Sequence, residues 1–323
     1  MQNCMEKYKN DFAIRFAQLM QKNLIVWKEL QRQEQKKLYS WKAIGWYLFV
    51  VLLGLVPGKN EQEYSIIFHC IEALFIFISS IIIHIGYRNK MYQNEIKKSL
   101  FPKLLKVFDK GITYKFCTIK QDLFNASELF KKEVNSTSFD DYFGGTYNNV
   151  EFCVAEADLA NVVTRKNQKP DRTELFTGIA MRFKMNKNIN SRVIICSKSL
   201  FNRVPKGYEK VRLEYEKFNK KFDVWVKKVE GDCSEQIEAR YLFNVSFLER
   251  FMQLKTAFKV DKMMCSVYGD TILVLLETLK DIFEMSHLLG QIDDIHQYNR
   301  LFDEFASVLS FIDVLNLASK TKL

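Results

Sequence analysis

Prolines and glycines are few, 4 and 12 in 323 residues, which excludes a collagen-like chain and a low-complexity linker. Disorder is excluded as well, because 48% of the residues are hydrophobic and 27% charged. No glycine-rich phosphate loop occurs, and Gly144-Gly145 alone is too little to make one. The G-x-S-x-G, C-x-x-C, H-x-x-x-H and H-E-x-x-H spacings are also missing, so the sequence points to no catalytic nucleophile, no metal site and no cofactor. Seven cysteines, at 4, 70, 117, 153, 196, 233 and 265, are odd in number and scattered. Such a set is not a disulfide framework, and a reducing compartment is expected.

Acidic residues are outnumbered, 38 against 48 Lys and Arg, for a net charge of +10. The excess is local. Residues 1–42 carry nine basic and four acidic side chains, and residues 88–120 carry nine and two. The stretch between them holds Lys59 against Glu61, Glu63 and Glu72, and residues 121–323 balance. A basic protein built to bind nucleic acid would spread its charge differently. Here the excess flanks the two most apolar stretches of the chain.

Those stretches are Ala43–Val56, without a charge, and Tyr64–Tyr87, interrupted only by His69, Glu72 and His84. Pro57-Gly58-Lys59-Asn60 supplies a break between them. A spanning helix needs about 20 apolar residues, which the second stretch has and the first approaches with Trp41 and a snorkelling Lys42. Trp41, Trp46, Tyr47, Tyr64 and Tyr87 fall where interfacial aromatic belts fall. With basic flanks on both outer sides, the expectation is a multi-pass protein of the cell membrane with both termini cytoplasmic. Glu72 is a transport candidate by its position alone. Aligning Lys42 with Arg88, however, sets it level with Gly58, near the outer headgroups.

Before the membrane, Phe12, Phe16, Leu19, Met20, Trp27 and Leu30 recur at helical spacing; after it, Ile96, Leu100, Leu104, Val107 and Phe108 do the same, with Pro102 among them. The economical arrangement pairs the two stripes as a stalk. From residue 113 the pattern turns to strands at 150–159, 175–183, 192–197, 208–215 and 222–229. Gly144-Gly145, Asn148-Asn149 and Pro205-Lys206-Gly207 are turn signals. Ser234 starts a short helix to Tyr241, and Ser246 with Glu249 fits a capping box for a helix to about Phe258. Gly269-Asp270 predicts a hairpin between 262–268 and 271–276. A closing helix is expected over 292–317, with Leu301, Phe305, Val308, Ile312 and Leu315 on one side. The fold class is α+β: a two-helix transmembrane hairpin with a helical stalk and a cytoplasmic, largely antiparallel sheet-plus-helices domain. The boundaries are 1–42 for the N-terminal helix, 43–87 for the hairpin (43–57 and 64–87), 88–112 for the stalk and 113–323 for the domain.

Three blocks stand out: Asp141-Tyr142-Phe143-Gly144-Gly145-Thr146 through Glu156-Ala157; Thr173-Glu174-Leu175-Phe176-Thr177-Gly178; and Val211-Arg212-Leu213-Glu214 with Phe218–Trp225 and Gln236–Leu242. Together they resemble a bacterial membrane-protein family of no assigned activity, domain of unknown function three-one-three-seven. Leu315-Asn316-Leu317 adds to the likeness, which spans roughly 130–320 and the hairpin arrangement. Thr177 stands where a basic residue is expected, and Lys227–Cys233 reads as an insertion. The resemblance implies a bacterial inner-membrane protein with a cytoplasmic domain, and it brings no catalytic residues.

Among polar constellations, Asp223, Glu238 and Arg240 are the best candidates. The enzymatic reading is a carboxylate pair with an arginine anion clamp; the structural reading is an ion pair docking helix on sheet. His287 and His296 with Asp293 and Asp294 read as a solvated loop before a metal site. Residues 160–228 hold eighteen basic and six acidic side chains. Solvated strand faces account for them first, anionic lipid headgroups or an acidic protein partner next, and nucleic acid last. The function expected is a membrane-tethered interaction or sensing module. The alternative is an enzyme acting on an anionic substrate near the membrane.

Overall fold

The computed structural model describes residues 2–54, 65–115, 118–166, 168–203, 206–228, 240, 242–279, 287–292 and 295–320. The chain divides into two compact units. One comprises Asn10–Leu104 and Glu284–Tyr298, the other Met1–Lys9, Leu105–Phe283 and Asn299–Leu323.

The first unit is helical. Its helices are α1 (Gln2–Leu38), α2 (Trp41–Gly54) and α3 (Ser65–Phe108). The second apolar stretch and the stalk that follows it are thus one helix, and Pro102 is accommodated inside it. α1 and α3 run antiparallel, as contacts 23/103, 27/99 and 34/88 require. Lys103 Nζ donates to Asn23 Oδ1 at 2.6 Å, Trp27 Nε1 to Ser99 Oγ at 3.0 Å, and Arg88 is ion-paired with Glu34. Trp27, Ile96 and Leu100 are buried, so the two stripes do partner each other. Residues 287–292 are seated on this pair by side-chain amides. Gln31 donates to the carbonyls of Leu288 and Gly290, Gln35 donates to Leu288, and the Leu288 amide donates to Asn89. α2 meets α3 where Tyr47 Oη lies 2.7 Å from His84 Nδ1 and the Tyr47 ring packs edge-on to Phe77. That contact is within one residue of the register obtained by aligning Lys42 with Arg88.

The second unit is a mixed one, an antiparallel sheet with helices. Its strands are β1 (Ile112–Tyr114), β2 (Ser136–Tyr147), β3 (Val150–Val163), β4 (Asp171–Ser197), β5 (Tyr208–Val211), β6 (Phe222–Lys227) and β7 (Lys262–Glu277). They pair in the order β1-β2-β3-β4-β6-β5, with β7 also on β4, and every pairing is antiparallel. The helices are α4 (Gln121–Ala126), α5 (Glu216–Asn219), α6 (Val245–Ala257) and α7 (Ile295–Lys320). One sheet face carries Cys153, Ala157, Leu159, Met264 and Leu273 beneath Phe124, Leu129 and Val134 of the 119–134 arm. Elsewhere in the unit aromatic contacts join strand and helix: Phe143 meets Phe305 at 4.8 Å, and Phe183 meets Phe311 at 5.1 Å. The expected stripe of α7, Leu301 through Leu315, is buried.

Four local expectations are corrected. Gly144-Gly145 lies inside β2, and the β2–β3 turn is Asn148-Asn149 alone, both residues at positive φ. The strands expected at 175–183 and 192–197 are one long β4, bent by register shifts between Lys184 and Val193. Gly269-Asp270 is likewise a bend inside a continuous β7, because both halves pair with β4 rather than with each other. The bend shifts the alternation by one residue: Met264 shares its face with Leu273 and Leu275. The cap of α6 is Asn244, whose side chain accepts the Phe247 amide at 2.9 Å, not Ser246. The helix proposed from Ser234 falls on residues outside the described set, apart from Arg240 and Leu242. Cys196 and Cys265 are free and buried, but Cys153 is disulfide-bonded, which departs from the expectation of a reducing compartment.

Candidate functional site

A cleft of about 480 Å³ opens between the segment after β5 and the start of α6. Leu213, Tyr215, Phe243 and Leu248 line it with Arg240, Glu214 and Asn244. The first wall is fixed locally, because Asn219 donates to the Leu213 carbonyl at 2.6 Å and accepts its amide at 3.4 Å. That closes the turn leading into α5. Tyr215 Oη donates to Glu249 Oε1 at 3.3 Å, tying this wall to α6. Burial and the Glu249 carboxylate push the Tyr215 phenol up from its ordinary range. Leu213, Phe243 and Leu248 are buried and give an apolar floor, while Arg240 and Glu214 are exposed at the rim. The arrangement suits a group with an apolar body and a polar end that meets both Arg240 and Glu214. No hydroxyl nucleophile, thiol or imidazole stands among its described lining residues other than the Tyr215 phenol.

The residues nominated from the sequence are only partly brought together. Asp223, on β6, is buried and ion-paired with Lys210 of the neighbouring β5 at 2.8 Å. Lys210 also lies 5.7 Å from the Trp225 ring centroid. Arg240 is in the cleft just described, and Glu238 lies outside the described residues. Glu72 is exposed on α3, and His287 is exposed in the 287–292 segment. The side chains of His69, Asp293, Asp294 and His296 lie outside the described set. Among the described residues no group of three metal-ligating side chains forms.

A second polar constellation was not anticipated. Glu128, at φ 55°, accepts from Lys227 Nζ at 2.8 Å and Tyr208 Oη at 3.0 Å, with Arg192 at 3.4 Å. Burial alone would raise its carboxyl, but these donors together hold it below the usual range. Arg192 also donates to the Ala126 carbonyl and stacks 4.9 Å from the Tyr268 ring, and Tyr268 donates to Leu123. The network pins the 119–134 arm to the sheet. Its members are far apart in sequence, so no spacing announces it.

A wider cleft of about 620 Å³ lies at the ends of β4 and β7, lined by Glu174, Leu175, Thr177, Lys262, Glu277 and Leu279 among others. Lys262 and Glu277 pair across it at 2.8 Å. Thr177, the position that departs from the family pattern, donates to Glu174 here. The third family block contributes Leu213, Glu214 and Arg240 to the first cleft, and the second block lines this one.

Residues 174–317 match the model of a family described as a protein of unknown function, DUF3137, the one that the sequence resembles. The block at 141–157 precedes the matched stretch. A comparison with curated proteins gives no match. Among solved structures, the mycobacterial trehalose monomycolate transport factor A, TtfA, is similar at 10% identity, over 63% of this chain and 86% of that one, with a TM-score of 0.34.

Proposed function

We propose that the chain is a membrane-tethered module whose sheet unit docks a partner in the cytoplasm, with α2 and α3 as the bilayer hairpin and both termini on the cytoplasmic side. The observation that carries this reading is the outer surface of α3. Among the described residues, Ile71–Phe108 is one helix long and apolar enough to cross a membrane, and only 6% of its apolar window is buried. Phe75 is 72% exposed, Ile83 72% and Ile82 63%. Burying such side chains is worth about 1.5–3 kcal/mol each, so a lipid environment for this girdle is strongly favoured over water. Trp46, Leu48 and Phe49 extend it on α2, and the Tyr47–His84 contact supports a hairpin. The basic flanks at 1–42 and 88–120 support the orientation.

The docking role rests on the cleft at Arg240, which joins an apolar floor to a charged rim of Arg240 and Glu214, with no thiol, imidazole or aliphatic hydroxyl among its described lining residues. An enzymatic role through Asp223, Glu238 and Arg240 has less support, since Lys210 already neutralises Asp223. Membranes washed in alkaline carbonate test the tether: the full-length chain stays in the pellet under this reading, and its release into the supernatant refutes it. Crosslinking followed by detergent extraction tests the cleft. Arg240→Ala should abolish partner capture while leaving the melting temperature unchanged, because Arg240 is exposed.

A further inference from the structure

We propose that the cleft between the α5–β6 turn and the C-terminal end of α6 binds a ligand bearing a phosphate group. The cleft is about 330 Å³ and is lined by Lys221, Met252, Lys255, Thr256, Lys259 and Asp261 among others. Three lysines thus line a space with one carboxylate among its lining residues; Lys221 lies near enough to repel Lys255, and Lys259 also acts on the buried Glu304. Among the described residues, Lys221, Lys255 and Lys259 make no ion pair within 4.0 Å, so their charge is not already spent on a neighbouring acid. Lys255 is half-buried, with its ammonium 5.7 Å from the Phe222 ring centroid.

A lysine in the last turn, as Lys255 is, complements the helix dipole without having to cap the last carbonyls. The end of α6 is closed by its own backbone: Val260 N–H reaches the Lys255 carbonyl at 3.1 Å, and Lys259 N–H reaches Thr256 at 3.2 Å. This is a Schellman ending, whose left-handed position glycine occupies most readily. Here that position is Lys259, at φ 50°, a conformation that costs an L residue about 1–2 kcal/mol. Glycine would be more stable at this position, so replacing Lys259 by glycine removes the charge without destabilising the helix end. Burial also pushes the Lys255 ammonium down from its ordinary range; Asp261 opposes this and Lys221 adds to it. A bound dianion would relieve both the desolvation and the repulsion.

The phosphate group has two sources to distinguish, a lipid headgroup and a soluble phosphate compound. The lipid source rests on the tethered reading given above; the soluble source does not. The test uses the full chain in a neutral detergent, titrated at matched ionic strength with inorganic phosphate and separately with short-chain phosphatidylglycerol below its micellar concentration. Binding is followed by calorimetry and by the melting temperature. Saturable binding of either probe supports the site. Phosphate alone identifies a soluble ligand, and the lipid alone identifies a headgroup. Lys255→Met keeps the apolar stem over Phe222 and should weaken binding at least ten-fold, whereas Lys166→Gln, with the same charge loss at an exposed position between β3 and β4, should leave it unchanged. Lys259→Gly is the sharper variant: the melting temperature should rise while binding falls several-fold. The proposal is overturned if neither probe saturates, if Lys166→Gln weakens binding as much as Lys255→Met, or if Lys259→Gly binds like the parent. Should Lys255→Met not fold, Lys259→Gly and Lys221→Gln decide the matter. If the lipid arm alone fails, the tether is untouched, because carbonate extraction reads it separately.

Discussion

At Gly178 the main chain of β4 passes so close to β7 that a Cβ would sit 2.0 Å from the Leu276 carbonyl oxygen and 2.9 Å from the Thr278 nitrogen. Its φ of 151° adds strain for any other residue. Gly178→Ala should therefore lower stability by roughly 3 kcal/mol or more, seen as a drop of many degrees in the melting temperature; a shift under one degree would contradict the strand crossing described. The carboxyl of Glu304 behaves differently. It is buried on α7, and burial pushes it up to about 7, with Arg300 and Lys259 pulling it down and Asp303 raising it further. Between about pH 4.5 and 7 the folded chain holds a proton that the unfolded chain has released, so stability falls as pH rises and the loss is complete above 7. The contribution is on the order of 2–3 kcal/mol. Glu304→Gln should flatten this part of the stability profile and raise the melting temperature at pH 8. A variant as pH-dependent as the parent would assign the slope elsewhere.

Helices whose apolar spacing is sustained are readable in the sequence: α7 buries its whole predicted stripe, α1 buries Phe12, Phe16 and Trp27 of its own, and the stalk part of α3 buries Ile96, Leu100 and Leu104, the remaining stripe positions being half-buried. Strand β3 is readable because Phe152, Val154 and Ala157 alternate with Glu151, Glu156 and Asp158. Two things hide the rest. A bend inside a long strand carries the same local signature as a hairpin turn, and what distinguishes them at Gly269 is the pairing partner β4, some eighty residues earlier in the chain. Side chains that meet only through strand register or the docking of a loop on a sheet leave no spacing signal, which is why Lys210 is invisible as the partner of Asp223 and Glu128, in the 119–134 arm, as the partner of Lys227. The candidate cleft was half legible: Arg240 is found by its place in a family block, but the floor of Leu213, Phe243 and Leu248 appears only when β5 and α6 are side by side. Helix ends are decided by one hydrogen bond, and the start of α6 tests this. Asn244→Ala should cost about 1 kcal/mol, and Ser246→Ala only a few tenths, in thermal or denaturant unfolding. Equal costs would restore the capping box at Ser246.

Across the whole chain, one balance governs the account: an apolar girdle on α2 and α3, bordered on both outer sides by lysine and arginine, beside a sheet unit whose own apolar residues are largely covered. Lipid solvates the girdle in the proposed arrangement, and the positive flanks hold both ends of the hairpin on one side. Impermeant maleimide labelling of single cysteines in intact cells, on a background with the native cysteines replaced, measures this directly. With the proposed topology a cysteine at Asn60 is labelled from outside, while cysteines at Glu29 and Lys166 react only after permeabilisation. Labelling of Lys166→Cys in intact cells, or protection of Asn60→Cys with the chain recovered in the soluble fraction, would contradict it.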